Sequence, residues 1–287
     1  MRWLLTALVL AGFISWWLTE PGSLTAEALP EHQPDAVNGE QVFNTGGCAS
    51  CHGADLSGGL EMSSDFGTFV VPNITPDVNA GIGGWSMLDF VNAMMLGVSP
   101  QGSHYYPAFP YTSYTRMRVQ DVMDLKAFLD LADPVENTPG SHELGFPWGI
   151  RRGIGLWKIR YLKQGPVVDV DPGKTLVARG RYLVEGAGHC AECHTPRDHF
   201  GGLDRALWLA GAPNPDGEGR VPNITPAEDG LGSWSEPDIA YYLESGFLPD
   251  FDTVGGSMVE VQENMARLPA EDRKAIAAYL KSIPVRP

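Results

Sequence analysis

The chain has little charge, less of it basic, and few cysteines. Only 19% of its 287 residues are Asp, Glu, Lys or Arg, against roughly 25% in an average globular protein. Lys and Arg number 20 against 35 Asp and Glu, a formal net charge of −15. A phosphate-tracking surface is therefore disfavoured and nucleic acid is excluded as a partner, while an electrostatically steered protein partner should present a basic patch. No repetitive tract accompanies the 34 Gly and 23 Pro, and 43% of the chain is hydrophobic. These residues therefore point to long ordered loops rather than to disorder. The length suggests two domains.

Long apolar runs are scarce as well. One lies at the start, from Trp3 to about Leu18 behind a single Arg2, and residues 1–20 read as an export signal or membrane anchor. The small residues of a cleavage site come no earlier than Ala26-Glu27-Ala28, well past the run, and Trp16-Trp17 suits a membrane–water interface. An uncleaved anchor is expected, in a run somewhat short of the roughly 20 residues that span a bilayer; a cleaved signal is the alternative. Either way the remainder belongs outside the cytoplasm.

The rest of the chain is duplicated. Cys48-Ala-Ser-Cys51-His52 is followed by Val71-Pro-Asn-Ile-Thr-Pro76 and by Gly81-Ile-Gly-Gly-Trp85-Ser86. Cys190-Ala-Glu-Cys193-His194 is followed by Val221-Pro-Asn-Ile-Thr-Pro226 and by Gly230-Leu-Gly-Ser-Trp234-Ser235. The halves differ mainly by a longer loop after the second histidine. Each opens with a short helical stretch, Asn38–Asn44 and Ala178–Glu185, and closes with an amphipathic one, Val119–Leu131 and Ala270–Ser282. The Asn-Ile-Thr triplets also match a glycosylation pattern, but their place inside the repeated unit favours a structural loop.

In Cys-x-x-Cys-His, two thiols one helical turn apart can add to the vinyl groups of a haem while the adjacent imidazole binds the iron. A zinc site would need further ligands beside each pair, and the pairs stand 142 positions apart. A redox dithiol leaves the repeated histidine unexplained. The motifs therefore predict two covalently bound haem c groups, attached through Cys48, Cys51, Cys190 and Cys193, with His52 and His194 on the irons. Trp85 and Trp234 are either core residues or donors to a haem propionate.

An electron-carrying haem usually has a second protein ligand, and a Met thioether raises its potential. In the second half Gly255-Gly-Ser-Met258 supplies one, 21 residues before Tyr279. The first half has Phe109 in the corresponding Tyr106-Pro-Ala-Phe109-Pro-Tyr stretch, and a phenyl ring cannot bind iron. Met117 is the expected replacement, with His104 or an open position as alternatives; Met94 and Met95 read as packing residues on a helix.

These residues carry a resemblance. From about Leu29 to Pro284 the chain resembles the c-type cytochrome subunits of bacterial membrane-bound alcohol, aldehyde and gluconate dehydrogenases, and the stand-alone dihaem cytochromes c related to them. The resemblance rests on Gly-Gly-Cys48-Ala-Ser-Cys51-His52, Gly-His-Cys190-Ala-Glu-Cys193-His194-Thr-Pro-Arg, both Asn-Ile-Thr-Pro loops with their Gly-x-Gly-x-Trp followers, and Gly-Gly-Ser-Met258. It implies a mainly α, loop-rich fold of two tandem class I cytochrome c domains, residues 30–133 and 173–287, each around one covalent haem, with a connector over 134–172. It implies transfer of single electrons toward a quinone or terminal oxidase, with a dehydrogenase, a quinol-oxidising complex or a terminal oxidase as redox partner. Two departures stand out: those subunits resemble three-haem proteins with a further domain, and many relatives have Met where Phe109 stands. The competing expectation is a dihaem enzyme of the peroxidase or thiosulfate dehydrogenase type with an open first haem.

Within the connector, Leu144–Lys163 carries Arg151, Arg152, Lys158, Arg160 and Lys163 and no acid, interleaved with Phe146, Trp148, Ile150, Leu156, Trp157 and Ile159. It reads either as a strap over both domains or as a basic amphipathic segment lying on anionic lipid.

Overall fold

The computed structural model describes residues 2–214, 217 and 219–286. Each half is built on two helices that cross at a glycine. In the first, α2 (Ala36–Thr45) crosses α6 (Val119–Leu129); between them lie α3 (Cys48–His52), α4 (Met87–Leu96) and α5 (Tyr111–Tyr114). In the second, α8 (Thr175–Glu185) crosses α12 (Ala270–Ser282), with α9 (Ala191–His194), α10 (Glu236–Ser245) and α11 (Met258–Ala266) between. A β-carbon on Gly39 would lie 2.1 Å from the Asp124 carbonyl oxygen, and one on Gly180 only 1.8 Å from that of Ala275. The backbones touch there because neither helix has a side chain to hold them apart. The four helices extend close to the predicted stretches.

The repeated motifs between the helices are caps and turns. Ser86 and Ser235, each following the repeated tryptophan, open α4 and α10 with capping boxes closed by Asp89 and Asp238. Both helices end on left-handed glycines, Gly97 and Gly246. The turns beyond are matched: Val98 bridges His104 and Phe247 bridges Thr253. Strand content is small. A three-stranded antiparallel sheet joins β1 (Glu61–Ser64), β2 (Gly67–Val70) and β3 (Glu143–Leu144), and a hairpin pairs β4 (Ala212–Pro213) with β5 (Arg220–Val221). Each half has its own core, one including Val42, Phe90, Val91, Met117 and Leu125, the other Leu183, Trp208, Ile239, Ile276 and Tyr279.

The connector is a strap. Its helix α7 (Ile154–Tyr161) turns Lys158 toward the first half, where its Nζ donates to the Leu96 and Gly97 carbonyls, both at 2.7 Å. Toward the second half Trp157 Nε1 donates to the Phe200 carbonyl at 2.8 Å, and the Tyr161 hydroxyl donates to Asp198. At the N-terminus α1 (Arg2–Leu18) has 17 residues, a length of about 25 Å against a hydrocarbon core of about 30 Å. Among the described residues no helix is long and apolar enough to cross a membrane.

The glycine crossings give the first prediction. Gly180→Ala or Gly39→Ala forces a methyl group into carbonyl backbone that cannot swing aside, and should cost at least about 2 kcal/mol. Chemical denaturation of the haem-loaded protein measures it; Gly153→Ala, where a β-carbon meets nothing within 4 Å, is the control and should change stability by less than about 1 kcal/mol.

Candidate haem-attachment sites

Both Cys-x-x-Cys-His segments form single helical turns entered from the left-handed region. The residue before each first cysteine, Gly47 in one half and His189 in the other, has φ of 55° and 36°. Entering the turn this way bends the chain sharply just before the first cysteine. The surrounding protein pushes the Cys48 and Cys190 thiols up to about 12 through burial, the reverse of the depression that activates a redox dithiol. Among the described residues no three or more His, Cys, Asp and Glu side chains gather as a metal-ion site would require, so each pair lacks the additional ligands of a zinc centre.

The histidines are aimed identically. His52 Nδ1 lies 2.8 Å from the Pro72 carbonyl oxygen, and His194 Nδ1 lies 2.8 Å from that of Pro222. A carbonyl can only accept, so Nδ1 carries the proton and Nε2 keeps its lone pair for an iron. Burial lowers both imidazole pKa values and the carbonyl bond opposes it, leaving neutral rings suited to metal ligation. The donor set and its orientation fit a covalently attached haem in each half.

The Pro carbonyls are fixed by the next residues. Asn73, buried, donates from Nδ2 to the Val135 and Asn137 carbonyls at 2.8 and 2.9 Å, while its Oδ1 accepts from Thr75 N. Asn223 donates to the Arg286 carbonyl and accepts from Thr225 N and Oγ1. Each Asn-Ile-Thr-Pro loop thus ties the histidine's acceptor to the end of its own half, and both amides are committed to the protein rather than presented for glycosylation. Trp85 and Trp234 are half-buried and pack against the two cores.

The turns that follow α4 and α10 carry different residues at matching places. Tyr105 N donates to the Gly97 carbonyl and Val254 N to that of Gly246, which sets the two turns in register and puts Phe109 at the place of Met258. Met258 is the first residue of α11, a helix not anticipated from the sequence, and packs half-buried against the second core. Phe109 sits edge-on to Tyr105, Tyr111 and Tyr114, with centroids 5.7–6.3 Å apart. Met117 is buried in the first core with Tyr114 and Ala187. His104, the alternative, donates from Nε2 to the Thr19 carbonyl at 2.9 Å, which holds its ring beneath the end of α1.

The two attachment segments face one another, which nothing in the sequence indicated. The third residue of each motif reaches into the other half. Ser50 Oγ accepts from Asn264 Nδ2 at 3.2 Å, and Glu192 Oε1 accepts from Thr112 and Ser113 hydroxyls at 3.0 and 2.9 Å. His189 Nε2 donates to the Gly46 carbonyl at 3.1 Å, with its ring 5.7 Å from that of Tyr114. Burial would raise the Glu192 carboxyl, but Arg197, 2.5 Å away, and the hydrogen bond from Ser113 outweigh it and hold it below the usual range.

The cytochrome c family model matches residues 36–132 and 170–284. A dihaem cytochrome c-type protein of Cereibacter sphaeroides is 50% identical over 291 residues, covering 98% of this chain and 96% of the relative. The fructose dehydrogenase cytochrome subunit of Gluconobacter japonicus is 36% identical over 98% of this chain and 58% of its own length. The cytochrome c subunit of a quinone-type alcohol dehydrogenase from Gluconobacter oxydans is 35% identical over 87% of this chain and 55% of its own length. The chain thus spans somewhat over half the length of those two dehydrogenase subunits.

Glu192→Ala leaves Arg197 and two hydroxyls without their acceptor, and should cost about 1–3 kcal/mol by denaturant titration of the loaded protein at neutral pH. Since the folded-state pKa is depressed, this contribution is present above the ordinary carboxylate pKa of about 4.3 and is lost as pH falls through the folded value. The wild-type and variant curves should therefore converge in acid.

Proposed function

Because the chain belongs to the cytochrome c family and carries two covalent haem c groups, we propose that it relays single electrons in a periplasmic respiratory chain. Electron transfer is the activity common to the cytochromes and cytochrome subunits it resembles, which favours a carrier over a dihaem enzyme of the peroxidase or thiosulfate dehydrogenase type. The donor in this reading is a dehydrogenase or a quinol-oxidising complex, and the acceptor a quinone or a terminal oxidase. The bulk of the chain lies on the periplasmic side of the inner membrane, tethered through α1. A net charge of −15 favours partners that dock with a basic patch.

Haem c, when bound, supplies a reversible one-electron couple whose potential the protein sets. Cys48 and Cys51 hold the first group and Cys190 and Cys193 the second. His52 and His194 present Nε2 to the irons, held in that tautomer by the Pro72 and Pro222 carbonyls. Met258 would supply a thioether to the second haem and Met117 to the first. The observation that carries the relay reading is the facing of the two attachment turns, latched by Ser50–Asn264 and Glu192–Ser113, because transfer between two centres depends on their holding a short, fixed separation.

Spectroscopy of the purified protein tests the ligands. Met258→Ala should convert one of two low-spin centres to high spin, and Met117→Ala should convert the other. A Met117→Ala protein with both centres still low-spin removes Met117, and an exchangeable high-spin centre in the unaltered protein contradicts the carrier reading.

A further inference from the structure

The connector helix is inside-out for a helix on a soluble surface. Gly155 and Lys158 face inward and are buried, and the Lys158 ammonium, besides its two carbonyl acceptors, lies 4.7 Å from the Tyr111 ring. Leu156 and Ile159, one turn apart, are 52% and 55% exposed. Arg160, four residues after Leu156, continues the same face, and Lys163, just beyond the end of the helix, is exposed as well. Just upstream every residue from Gly145 to Ile150 is exposed, with Phe146 at 90%. The contacts of the strap account for Trp157, Lys158 and Tyr161, but not for the apolar side chains left outside.

The end of α1 packs on the inner side of the connector and emerges beside this face. Arg152 donates from Nη2 to the Trp16 carbonyl at 2.7 Å and from Nε to Thr19 Oγ1 at 3.1 Å, and its guanidinium lies 4.3 Å over the Trp16 ring. Thr19 is buried against Gly155, and Leu18 and Ile159 line one cleft. Phe13, Ile14, Trp17 and Leu18 are exposed. Two unpartnered apolar surfaces therefore run into each other at a fixed joint. They do so in a stretch, Leu144 to Lys163, that holds no acid in a chain of net charge −15; Lys158 points inward, while Arg160, 3.7 Å from Asp198, and Lys163 stand exposed beside the apolar side chains. Apolar side chains ringed by Arg and Lys suit the headgroup boundary of an anionic bilayer, where such a face buries its apolar groups while the cations stay at the headgroups.

We propose that the outward face of the connector, from Phe146 to Lys163, lies in the surface of an anionic phospholipid bilayer beside α1. The segment joining the halves then rests on the lipid, and both haem domains keep one orientation to the membrane instead of swinging on a single tether. The inference uses the tether reading only for the neighbourhood of α1.

Full-length loaded protein in vesicles containing about one-quarter phosphatidylglycerol, with a lipid-soluble carbene probe and peptide mapping, tests it. Peptides covering residues 144–163 should be labelled, roughly fivefold less in pure phosphatidylcholine, and roughly tenfold less in a Leu156→Glu/Ile159→Glu protein. Both altered side chains are exposed, so an unchanged haem spectrum verifies the fold. Label confined to residues 2–19 overturns the proposal, as does connector label indifferent to headgroup and to the substitutions. An unlabelled connector that instead cross-links to an acidic protein overturns it in favour of that occupant. Connector label without α1 label supports the surface and removes the tether.

Discussion

The architecture depends on a five-residue constraint met twice: two cysteines and a histidine in one helical turn, with the histidine's Nδ1 tied to a proline carbonyl. That hydrogen bond decides which nitrogen is left for an iron. It also dictates where the following loop must pass, 20 residues on in the first half and 28 in the second. The extra residues in the second half go into the loop carrying β4 and β5 and leave the acceptor in place. The Asn side chain beside each proline then fastens the loop to the end of its own half. A change at Asn73 or Asn223 therefore reaches the imidazole through a backbone carbonyl, without touching it.

The second organising feature is the seam. Residues occupying the same place in the two motifs, Ser50 and Glu192, both reach across it, to segments that follow the two distal positions. The environment of each attachment turn thus includes the distal region of the other half. The strap closes the same seam from outside through Lys158, Trp157 and Tyr161. Lys158 is tolerated inside because the end of α4 offers two carbonyls without intrahelical partners, which is where a cation is best placed.

Much of the organisation was legible in the sequence because it is periodic or repeated. The four crossing helices and the two Cys-x-x-Cys-His motifs are local patterns; the capping by Ser86 and Ser235 was not anticipated, although each serine stands at the same place in the repeat. The role of Pro72 and Pro222 had a signal, the repeated Pro-Asn-Ile-Thr-Pro, but a backbone carbonyl has no letter of its own. Long-range contacts had none. Glu192 differs from its counterpart Ser50, and its partners lie 79 and 80 residues away. His104 looked available as a ligand because the Thr19 carbonyl that claims it comes from the N-terminal segment, 85 residues earlier. Helical periodicity would have turned Lys158 outward and Ile159 inward; the carbonyls at the end of α4 reverse that preference.

Mapping the porphyrin onto the chain tests the central claim most directly. Protein made in cells with active haem-attachment machinery, digested and weighed peptide by peptide, should yield one haem on the peptide holding Cys48–His52 and one on that holding Cys190–His194, with no thiol left to alkylate. A coloured protein whose motif cysteines all react with alkylating reagent, or one carrying haem on a single motif, would contradict it.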